Sequence, residues 1–499
     1  MSAAATSPQA DAIPEFKQLL GHPRPLWMLF MSEFWERFAF YGNRWALTLY
    51  IVAQFHQGDP SGQAPANALY GAYLALVYAV AIFGGYVADR VIGYQRSILV
   101  GAVIMAAGLF MVATSTETIF RIGLATIIAG NGLFKPNIST MVGKLYKTGD
   151  ERRDSGFTIF YMGINAGAFI APILTGWLAS SIFGTDAMPA YKVVFIAAGI
   201  GMLLSMVWFY FGRRQLGPIG RPPEGGASRR RVLYVALGAL VAVPVVYFLL
   251  TVGAKALAGL LAVLFIGLCV MLVLEGIREG EVARSRTVAM LIIFAFNILF
   301  WMFFEQAGSS FNFLADQIVD RSFGSWTFPV AWFQSINPIG ILALAPVFAW
   351  LWIKLGKFNP SIPRKFGLGL VANGLAFALL MFALSRLVSS AGLIPFWTLT
   401  TVYLIQTVGE LCLSPIGLSM VTKLAPTRLV GFGMGGWFLS TAIGDNLSGI
   451  FASHVSGEGG MTTTSALSGY TFGFWTLVGA GVLLFLIAPL IQRLMHGVK

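Results

Sequence analysis

Long apolar segments follow one another along almost the whole chain. We count about fourteen stretches of the roughly 20 apolar residues that a helix needs to cross a bilayer. Backbone groups find no water inside a bilayer, so such segments must be helices or strands of a closed barrel, and their length selects helices. The sequence therefore predicts an all-α, multi-pass membrane protein. The predicted spans are 26–55, 66–92, 95–114, 118–146, 154–184, 190–212, 232–252, 255–277, 286–313, 327–355, 363–389, 393–424, 428–454 and 468–495.

Composition and charge support this class. Hydrophobic residues make up 57% of the 499 residues, charged residues 11%, and the mean hydropathy is +0.75, which no soluble globular class matches. The net charge of +12 comes from cations in short loops, chiefly on one side of the spans, such as Arg152, Arg153 and Arg229–Arg231. This is the positive-inside pattern, so we expect contact with membrane lipids and none with nucleic acid. It predicts a cell (cytoplasmic, inner) membrane protein with both termini in the cytoplasm.

The order of the spans predicts a repeated architecture. Six spans lead to a polar linker rich in Gly, Pro and Arg, two nearly uncharged spans follow, and six more complete the chain. We predict a cytosolic tail at 1–25, a six-helix bundle at 26–212, a linker with an inserted transmembrane hairpin at 213–285, and a second six-helix bundle at 286–499. The hairpin is expected to face lipid. In such repeats the ligand site lies near the midplane, between the two halves.

The first span contains four charged residues. Glu33, Glu36, Arg37, Tyr41 and Arg44 follow one another at helical spacing, which places them on one face of a helix. A charge at the bilayer centre costs about 2.5–3.5 kcal/mol on insertion scales and is usually functional. We therefore expect this face to line a protein interior or a wet cavity.

Other spans add buried polar groups to this interior. In the first half they include Lys135, which is too far from either helix end to reach water easily. They also include Tyr161 and Asn165, which lie one turn apart and fit helix–helix contacts as well as ligand contacts. The second half adds Asn297, Trp301, Glu305, Gln334, Asn337, Gln406, Glu410, Ser414, Trp437 and Asp445. Asp445 is assigned no role in the site, and its simplest interpretation is a polar contact between helices.

The two halves differ in the sign of their buried charge. The first half supplies mainly the cations Arg37, Arg44 and Lys135, and the second half supplies the carboxylates Glu305 and Glu410. A ligand with one negative and one positive end could therefore bridge the halves in a single orientation. The four histidines lie near span ends or loops, so proton exchange in the interior would use carboxylates.

A loop after the second span resembles a signature of the major facilitator superfamily. It reads Gly84-Gly-Tyr-Val-Ala-Asp-Arg-Val-Ile-Gly-Tyr-Gln-Arg96, which is similar to the pattern GxxxDRxGRR. The resemblance implies that Asp89 and Arg90 form a gating contact at the cytoplasmic edge. The alternative is an ordinary loop whose cations only set the topology.

Four further strings resemble the proton-dependent oligopeptide transporters, also called the POT or PTR peptide transporter family. The first resembles ExxERFxYY, with Phe40 in place of the first tyrosine, and the second resembles FYxxINxG. The strings are Glu33-Phe-Trp-Glu-Arg-Phe-Ala-Phe-Tyr41, Phe160-Tyr-Met-Gly-Ile-Asn-Ala-Gly167, Gly132-Leu-Phe-Lys-Pro-Asn137 and Gly409-Glu-Leu-Cys-Leu-Ser-Pro415. With the resemblance over about 26–495, the chain is identified as a bacterial member.

The resemblance implies proton-coupled symport of di- and tripeptides by alternating access, with no cofactor besides the proton gradient and a monomer as the working unit.

The resemblance also implies roles for individual residues. Arg44 and Lys135 would hold the peptide carboxylate, and Glu410 would hold the amino terminus. Asn165 and Asn337 would assist, and pockets would be lined by Tyr41, Tyr78, Tyr161, Trp301, Ser414 and Trp437. Proton coupling would involve Glu33, Glu36, Arg37, Lys135 and Glu305. Glu305 facing Arg44 would form an outer gate, and Lys135 facing Glu410 a further contact between the halves.

Three alternatives compete with this function. The same fold could carry nitrate or another small solute, although Glu410 disfavours a bare anion. An intramembrane enzyme would need a nucleophile with a base or a set of metal ligands, and the sequence shows no such cluster. A passive channel is disfavoured by the 57 glycines and by prolines inside helices of both halves, which favour moving gates.

Overall fold

Helices account for nearly all of the regular structure. The computed structural model describes residues 13–147, 150–222 and 228–498; the first part of the predicted tail and residues 223–227 of the predicted linker lie outside these ranges. The helices are α1 Arg24–Phe55, α2 Gln63–Val87, α3 Tyr94–Val112, α4 Glu117–Lys144, α5 Arg152–Trp177, α6 Tyr191–Gly212, α7 Arg229–Thr251, α8 Ala254–Glu279, α9 Glu281–Phe304, α10 Ser310–Gln317, α11 Ile336–Leu355, α12 Ile362–Arg386, α13 Phe396–Leu424, α14 Val430–Ser456 and α15 Thr463–Leu494.

Short elements join or extend these helices. Strands β1 Gln18–Leu19 and β2 His22–Pro23 pair antiparallel before α1, and β3 Ser322–Phe323 and β4 Trp326–Thr327 pair in the loop after α10. Single π-helical turns, Ala88–Ile92 and Leu178–Ile182, extend α2 and α5. The 3₁₀ segments are Pro60–Gly62, Arg213–Leu216, Val330–Ser335, Gly356–Phe358 and Thr427–Leu429.

Eleven helices in the described part of the chain are long and apolar enough to cross a membrane. Three other long helices, α1, α4 and α14, are not among these eleven, and each contains buried or half-buried charged residues. These residues are Glu33, Glu36, Arg37 and Arg44 in α1, Lys135 in α4 and Asp445 in α14. The prediction of about fourteen helical spans is thus matched by fourteen long helices, and the charged ones pack inside the molecule.

The long helices form two six-helix bundles and an inserted pair. In the first bundle α1 packs against α5 and α6, and α3 packs against α4 and α6. In the second, α12 packs against α13 and α15, and α9 packs against α14. The all-α fold with two bundles and a hairpin agrees with the predicted class, while the residue boundaries predicted for the domains stay a prediction.

Two predicted spans are interrupted where polar residues occur. The predicted span 286–313 is divided, because α9 ends at Phe304 and Glu305 leaves helical geometry with φ −76° and ψ 43°. The predicted span 327–355 begins with the 3₁₀ segment Val330–Ser335, and α11 follows with Pro338 in its first turn, where a missing N–H removes no helical hydrogen bond. Both breaks place polar side chains at the interior between the bundles.

The inserted helices α7 and α8 lie on the outside and contact different bundles. Most of their side chains are exposed, as expected of a lipid-facing hairpin. However, α7 packs mainly on α4, whereas α8 packs on α14 and α9. Asn446 Nδ2 donates to Ala254 O at 2.8 Å, and the Glu279 carboxylate accepts from Thr427 N at 3.0 Å. The hairpin therefore spans both bundles.

Contact between the bundles concentrates at one end, here called the distal end, which carries loops 56–62, 318–329 and 457–462. Here α2 packs on α14, and α5 packs on α11 and on the 3₁₀ segment before it. The hydrogen bonds described between the bundles all lie toward this end. They include Thr48 Oγ1 to Gly308 O, Asn67 Nδ2 to Ala452 O, Trp332 Nε1 to Ile173 O and Ser335 Oγ to Phe169 O.

Two glycines allow α2 and α14 to touch through their backbones. A Cβ atom added at Gly71 would lie 2.6 Å from Gly449 Cα, and one added at Gly449 would lie 2.5 Å from Asn67 O. Small residues permit this kind of close helix approach in membranes. The distal contact therefore depends on the absence of a side chain at both positions.

We expect Gly71→Ala to open the distal end. Overpacking of a tight contact costs about 1–3 kcal/mol, which corresponds to a roughly 5- to 150-fold fall in the ratio of closed to open distal ends. The measurement is the distance between spin labels at the exposed positions Thr116 and Glu458, one on each bundle, with Cys269 and Cys412 replaced by alanine.

The matched control is Gly85→Ala in the same helix, where an added Cβ atom meets nothing within 4 Å. This control is expected to keep the short distance. If both alanine variants gave the distance distribution of the parent protein, the glycine contact would not hold the distal end closed.

Candidate functional site

Four charged groups meet between α1 and α4. Arg37 donates from Nε and Nη2 to the two oxygens of Glu36, each at 2.5 Å, and its Nε lies 3.6 Å from Glu33 Oε1. Lys135 Nζ of α4 pairs with the same Glu33 Oε1. Both glutamates are fully buried, and the second oxygen of Glu33 has no partner among the described residues. The helical spacing of α1 places three of these groups together, and α4 supplies the fourth.

One predicted contact of this group is wrong for this structure. The family resemblance implied that Lys135 faces Glu410 across the two bundles, but in this structure the partner of Lys135 is Glu33 of its own bundle. No ion pair between Lys135 and Glu410 is present among the described residues. The reason is that α4 packs mainly on α3, α2 and α7, whereas α13 packs mainly on α12, α11 and α14.

A second ion pair joins the bundles. Arg44 Nη2 donates to Glu305 Oε2 at 2.5 Å, and the two side chains are each about 10% exposed. Arg44 Nε also donates to the Tyr70 hydroxyl at 2.8 Å, and the Arg44 Cζ atom lies 5.5 Å from the centre of the Tyr41 ring. The contact that the sequence predicted between Arg44 and Glu305 is therefore present, at the break between α9 and α10.

The third charged position belongs to the second bundle alone. Glu410 on α13 is half-buried, and its Oε2 accepts a hydrogen bond from Asn337 Nδ2 at 2.9 Å. The same amide donates to Thr407 Oγ1 at 3.0 Å. Asn337 stands in the first turn of α11, because the 3₁₀ segment before it ends at Ser335. Glu410 has no cationic partner among the described residues, so it can accept a cation from a ligand.

A small cavity of about 20 Å³, enough for about one water molecule, lies between the second and third positions. Its walls come from α1, the α9–α10 junction, the start of α11, and α13. The lining residues are Tyr41, Arg44, Phe304, Ala307, Gln334, Asn337, Tyr403 and Gln406. Aromatic walls that carry a few convergent polar groups are typical of small-molecule sites. Three predicted binding residues, Tyr41, Arg44 and Asn337, line it.

The other predicted binding residues occupy several environments. Tyr78, Tyr161, Trp301 and Ser414 are half-buried, which suits an interior that admits water. Trp301 Nε1 donates to Asn297 Oδ1 at 3.0 Å, and Asn165 Nδ2 donates to the Tyr161 carbonyl in its own helix at 3.0 Å. Trp437 is only 5% exposed and packs against the Phe294 ring. To bind a ligand, Asn165 and Trp437 would have to leave these contacts or use the parts of their side chains that these contacts leave free.

The residues predicted to form a cytoplasmic gating contact do not reach the second bundle here. Asp89 and Arg90 are exposed at the end of α2, and Asp89 accepts a hydrogen bond from the Tyr94 hydroxyl of its own bundle. No ion pair to the second bundle is described for either residue. Their gating role stays a prediction for another arrangement of the bundles.

Sequence reasoning missed several residues that the structure brings to the site. Tyr70 binds Arg44, Thr407 binds Asn337, and Tyr403 lines the cavity. The only signal in the sequence is a polar hydroxyl inside an apolar span. Such hydroxyls are common in membrane helices, so this signal alone does not distinguish a site residue from a helix contact.

Two helical bundles enclosing a charged, partly accessible interior define a multi-pass membrane transporter of the major facilitator type. Comparison with protein-family models then gives the particular family. The model described as the POT family matches residues 95–464. The chain therefore belongs to the POT family, as its sequence strings suggested, and it is a transporter and not an enzyme.

Relatives and solved structures agree over nearly the full length. The peptide transporter YePEPT of Yersinia enterocolitica is 35% identical, over 97% of this chain and 98% of that protein. Dipeptide and tripeptide permease A of Erwinia pyrifoliae is 34% identical, over 99% and 98%. The crystal structure of a mutant of the peptide transporter POT with alafosfalin is 35% identical and superposes with a TM-score of 0.82, over 96% of this chain and 97% of that one.

Proposed function

We propose that this protein is a proton-coupled symporter that imports di- and tripeptides by alternating access. The observation that supports this most directly is the cavity with a cation on one side and a carboxylate near the other. Arg44 lines the cavity, and Asn337, which also lines it, hydrogen-bonds Glu410. A small peptide carries a carboxylate and an ammonium group at opposite ends. Similar proteins named as peptide transporters support the same substrate class.

In the proposed complex each peptide end meets an opposite charge. Arg44 and Lys135 receive the carboxylate, and Glu410 receives the amino terminus. Asn165 and Asn337 assist, while aromatic and polar walls tolerate different side chains. These walls comprise Tyr41, Tyr78, Tyr161, Trp301, Ser414 and Trp437.

Proton coupling is supported by the observation that both cations are already paired with carboxylates. In this structure Arg44 is paired with Glu305 and Lys135 with Glu33. A proton on Glu305 or Glu33 would release the paired cation for the peptide carboxylate. Glu36 and Arg37 belong to the same charge cluster as Glu33, so their charges would raise or lower the affinity of Glu33 for a proton. Protonation of the carboxylate and binding of the peptide would thus be coupled in one step.

Alternating access is supported by the one-sided contact between the bundles. The distal end is closed by hydrogen bonds and by the contact of Gly71 with Gly449. We assign this end to the outside of the cell membrane, with both termini in the cytoplasm, because the loop cations lie on the opposite side. The described state is then open toward the cytoplasm, and the protein works as a monomer among membrane lipids.

The driving force is sufficient for accumulation. Each proton that enters down a potential of 100 mV supplies about 2.3 kcal/mol, and each unit of pH gradient adds about 1.4 kcal/mol. A neutral zwitterion can therefore be concentrated by about ten- to a hundredfold per proton.

The test is uptake of labelled dialanine into proteoliposomes under an inward proton gradient. We expect accumulation that disappears when a protonophore collapses the gradient, with no uptake into liposomes that lack the protein. Unlabelled di- and tripeptides should compete, whereas free alanine and N-acetyl-dialanine, which lacks the ammonium group for Glu410, should compete poorly. Nitrate that blocks uptake while peptides do not compete would instead favour transport of a small anion on the same fold.

A further inference from the structure

One fully buried carboxyl group has no role in the proposed mechanism. Asp445, in the middle of α14, is 0% exposed, and neither of its oxygens accepts a hydrogen bond from any described residue. No ion pair is described for it either. The interpretation of Asp445 as a polar contact between helices is therefore wrong, because such a contact needs a partner on the neighbouring helix.

Asp445 lies at the seal between the bundles. A Cβ atom added at Gly71 of α2 would lie 2.9 Å from the Asp445 backbone oxygen. Gly449, which touches Gly71, follows Asp445 by one turn and shares its face of α14. Separation of α2 from α14 at the distal end would therefore uncover Asp445.

The charged and titratable groups around Asp445 do not neutralise it. These groups are Tyr70 and Tyr78 on α2, Glu305 at the break after α9, and Arg44 on α1. Glu305 repels an ionised Asp445. Arg44 attracts it, but the hydrogen bonds of Arg44 go to Glu305 and Tyr70.

The other helices packed on α14 supply no ionic partner in the described residues. Lys255 of α8 is exposed, Glu410 of α13 binds Asn337, and the Tyr470 hydroxyl of α15 donates to Ser310. An ionised carboxylate that is fully buried, unpaired and close to a second carboxylate is strongly disfavoured. A protonated carboxyl group is neutral and can occupy the same space.

We propose that Asp445 is a proton-binding residue that must be protonated before the distal end can close. With the distal end open, the Asp445 carboxylate meets water and takes a proton from it. Closure then buries the neutral carboxyl group as α2 meets α14, and Arg44 pairs with Glu305. This inference rests on the proposed assignment of the distal end to the outside and of protons as the coupled ion.

The proposal predicts a pH dependence with a defined sign. Since the closed form binds one proton more than the open form, the ratio of closed to open distal ends should fall as pH rises, by up to about tenfold per pH unit. Glu305 acts in the opposite direction, because its ionised form pairs with Arg44 in the closed state. A fall with rising pH is therefore not explained by the Arg44–Glu305 pair.

The experiment measures label distances across the distal end at Thr116 and Glu458 in liposomes, over a series of pH values and without substrate. Asp445→Asn replaces the carboxyl group by a neutral group of the same shape, so we expect the fall of the closed fraction with rising pH to disappear in this variant. Asp316→Asn is the matched control, because Asp316 near the same end has a partner, Arg321 Nη2 at 3.5 Å, and a side chain that is 42% exposed. This control should keep the pH profile of the parent protein.

Three outcomes overturn the proposal: a parent protein whose closed fraction does not change with pH, an Asn variant with the parent profile, or loss of the profile in the Asp316 control. The first of these uses the parent protein and does not depend on folding of a variant. Failure of the proposed function is separate, since it would appear as dialanine uptake that ignores the proton gradient while the pH profile of closure remains.

Discussion

Replacement of Glu36 by glutamine is expected to abolish proton-driven uptake of dialanine and to preserve counterflow, the exchange of labelled for unlabelled peptide without a gradient. Glu36 holds both donor nitrogens of Arg37 at 2.5 Å in a fully buried position. Without this carboxylate, Arg37 and Lys135 would share Glu33 as their only anion. Protonation of Glu33 would then leave the buried Arg37 and the half-buried Lys135 without an anionic partner, which is unfavourable.

The consequence is a cluster that can no longer bind and release the coupled proton. Peptide exchange needs only the binding site and its movement, so counterflow should continue. Glu117→Gln provides the control, because Glu117 is an exposed residue of α4 whose partner is Arg121, one turn away. Loss of both uptake and counterflow in the Glu36 variant would contradict the assignment of proton coupling to this residue.

Reversal of the charge at Arg44 is expected to open the distal end and to stop uptake. Arg44→Glu would place two carboxylates at a buried contact where an arginine and a glutamate now meet at 2.5 Å. Removal of one partner of a buried ion pair typically costs about 3–5 kcal/mol, or more than a hundredfold in the closed fraction. The closed fraction is read from the label distance between Thr116 and Glu458, and uptake from proteoliposomes.

The exchanged pair, Arg44→Glu with Glu305→Arg, is the informative control. It restores opposite charges across the bundles, so it should recover much of the closed fraction. It should not recover uptake, because the cation for the peptide carboxylate has moved to the other wall of the cavity. A single Arg44→Glu variant that keeps the closed distance would show that the glycine contact of α2 with α14 is enough to close this end.

The charge cluster illustrates what local sequence can and cannot predict. The spacing of Glu33, Glu36 and Arg37 places them on one helical face whatever the rest of the fold does, and the structure has all three in contact. The partner of Lys135 was predicted incorrectly, because it depends on which helices approach each other. That approach changes with the arrangement of the bundles, which no local pattern records.

The cavity shows the same limit. The sequence named Tyr41, Arg44 and Asn337, which line it, and also named Gln334 and Gln406 as buried polar residues without assigning them to a site. It did not name Tyr70 or Tyr403. These tyrosines matter through contacts with residues far away along the chain, and an aromatic residue in an apolar span looks the same whether or not it makes such contacts.

The sequence by itself determined the membrane class, the all-helical fold with its six, two and six spans, the family, and the helix face that carries the charges of α1. These properties follow from hydropathy, from helical periodicity and from short strings of neighbouring residues. Only the tertiary structure decided that Lys135 pairs with Glu33, that α9 breaks at Glu305, that Gly71 meets Gly449, and that Asp445 is buried without a partner. Each of these depends on the distance between helices that are remote in the chain, and that distance is set by packing of the whole molecule.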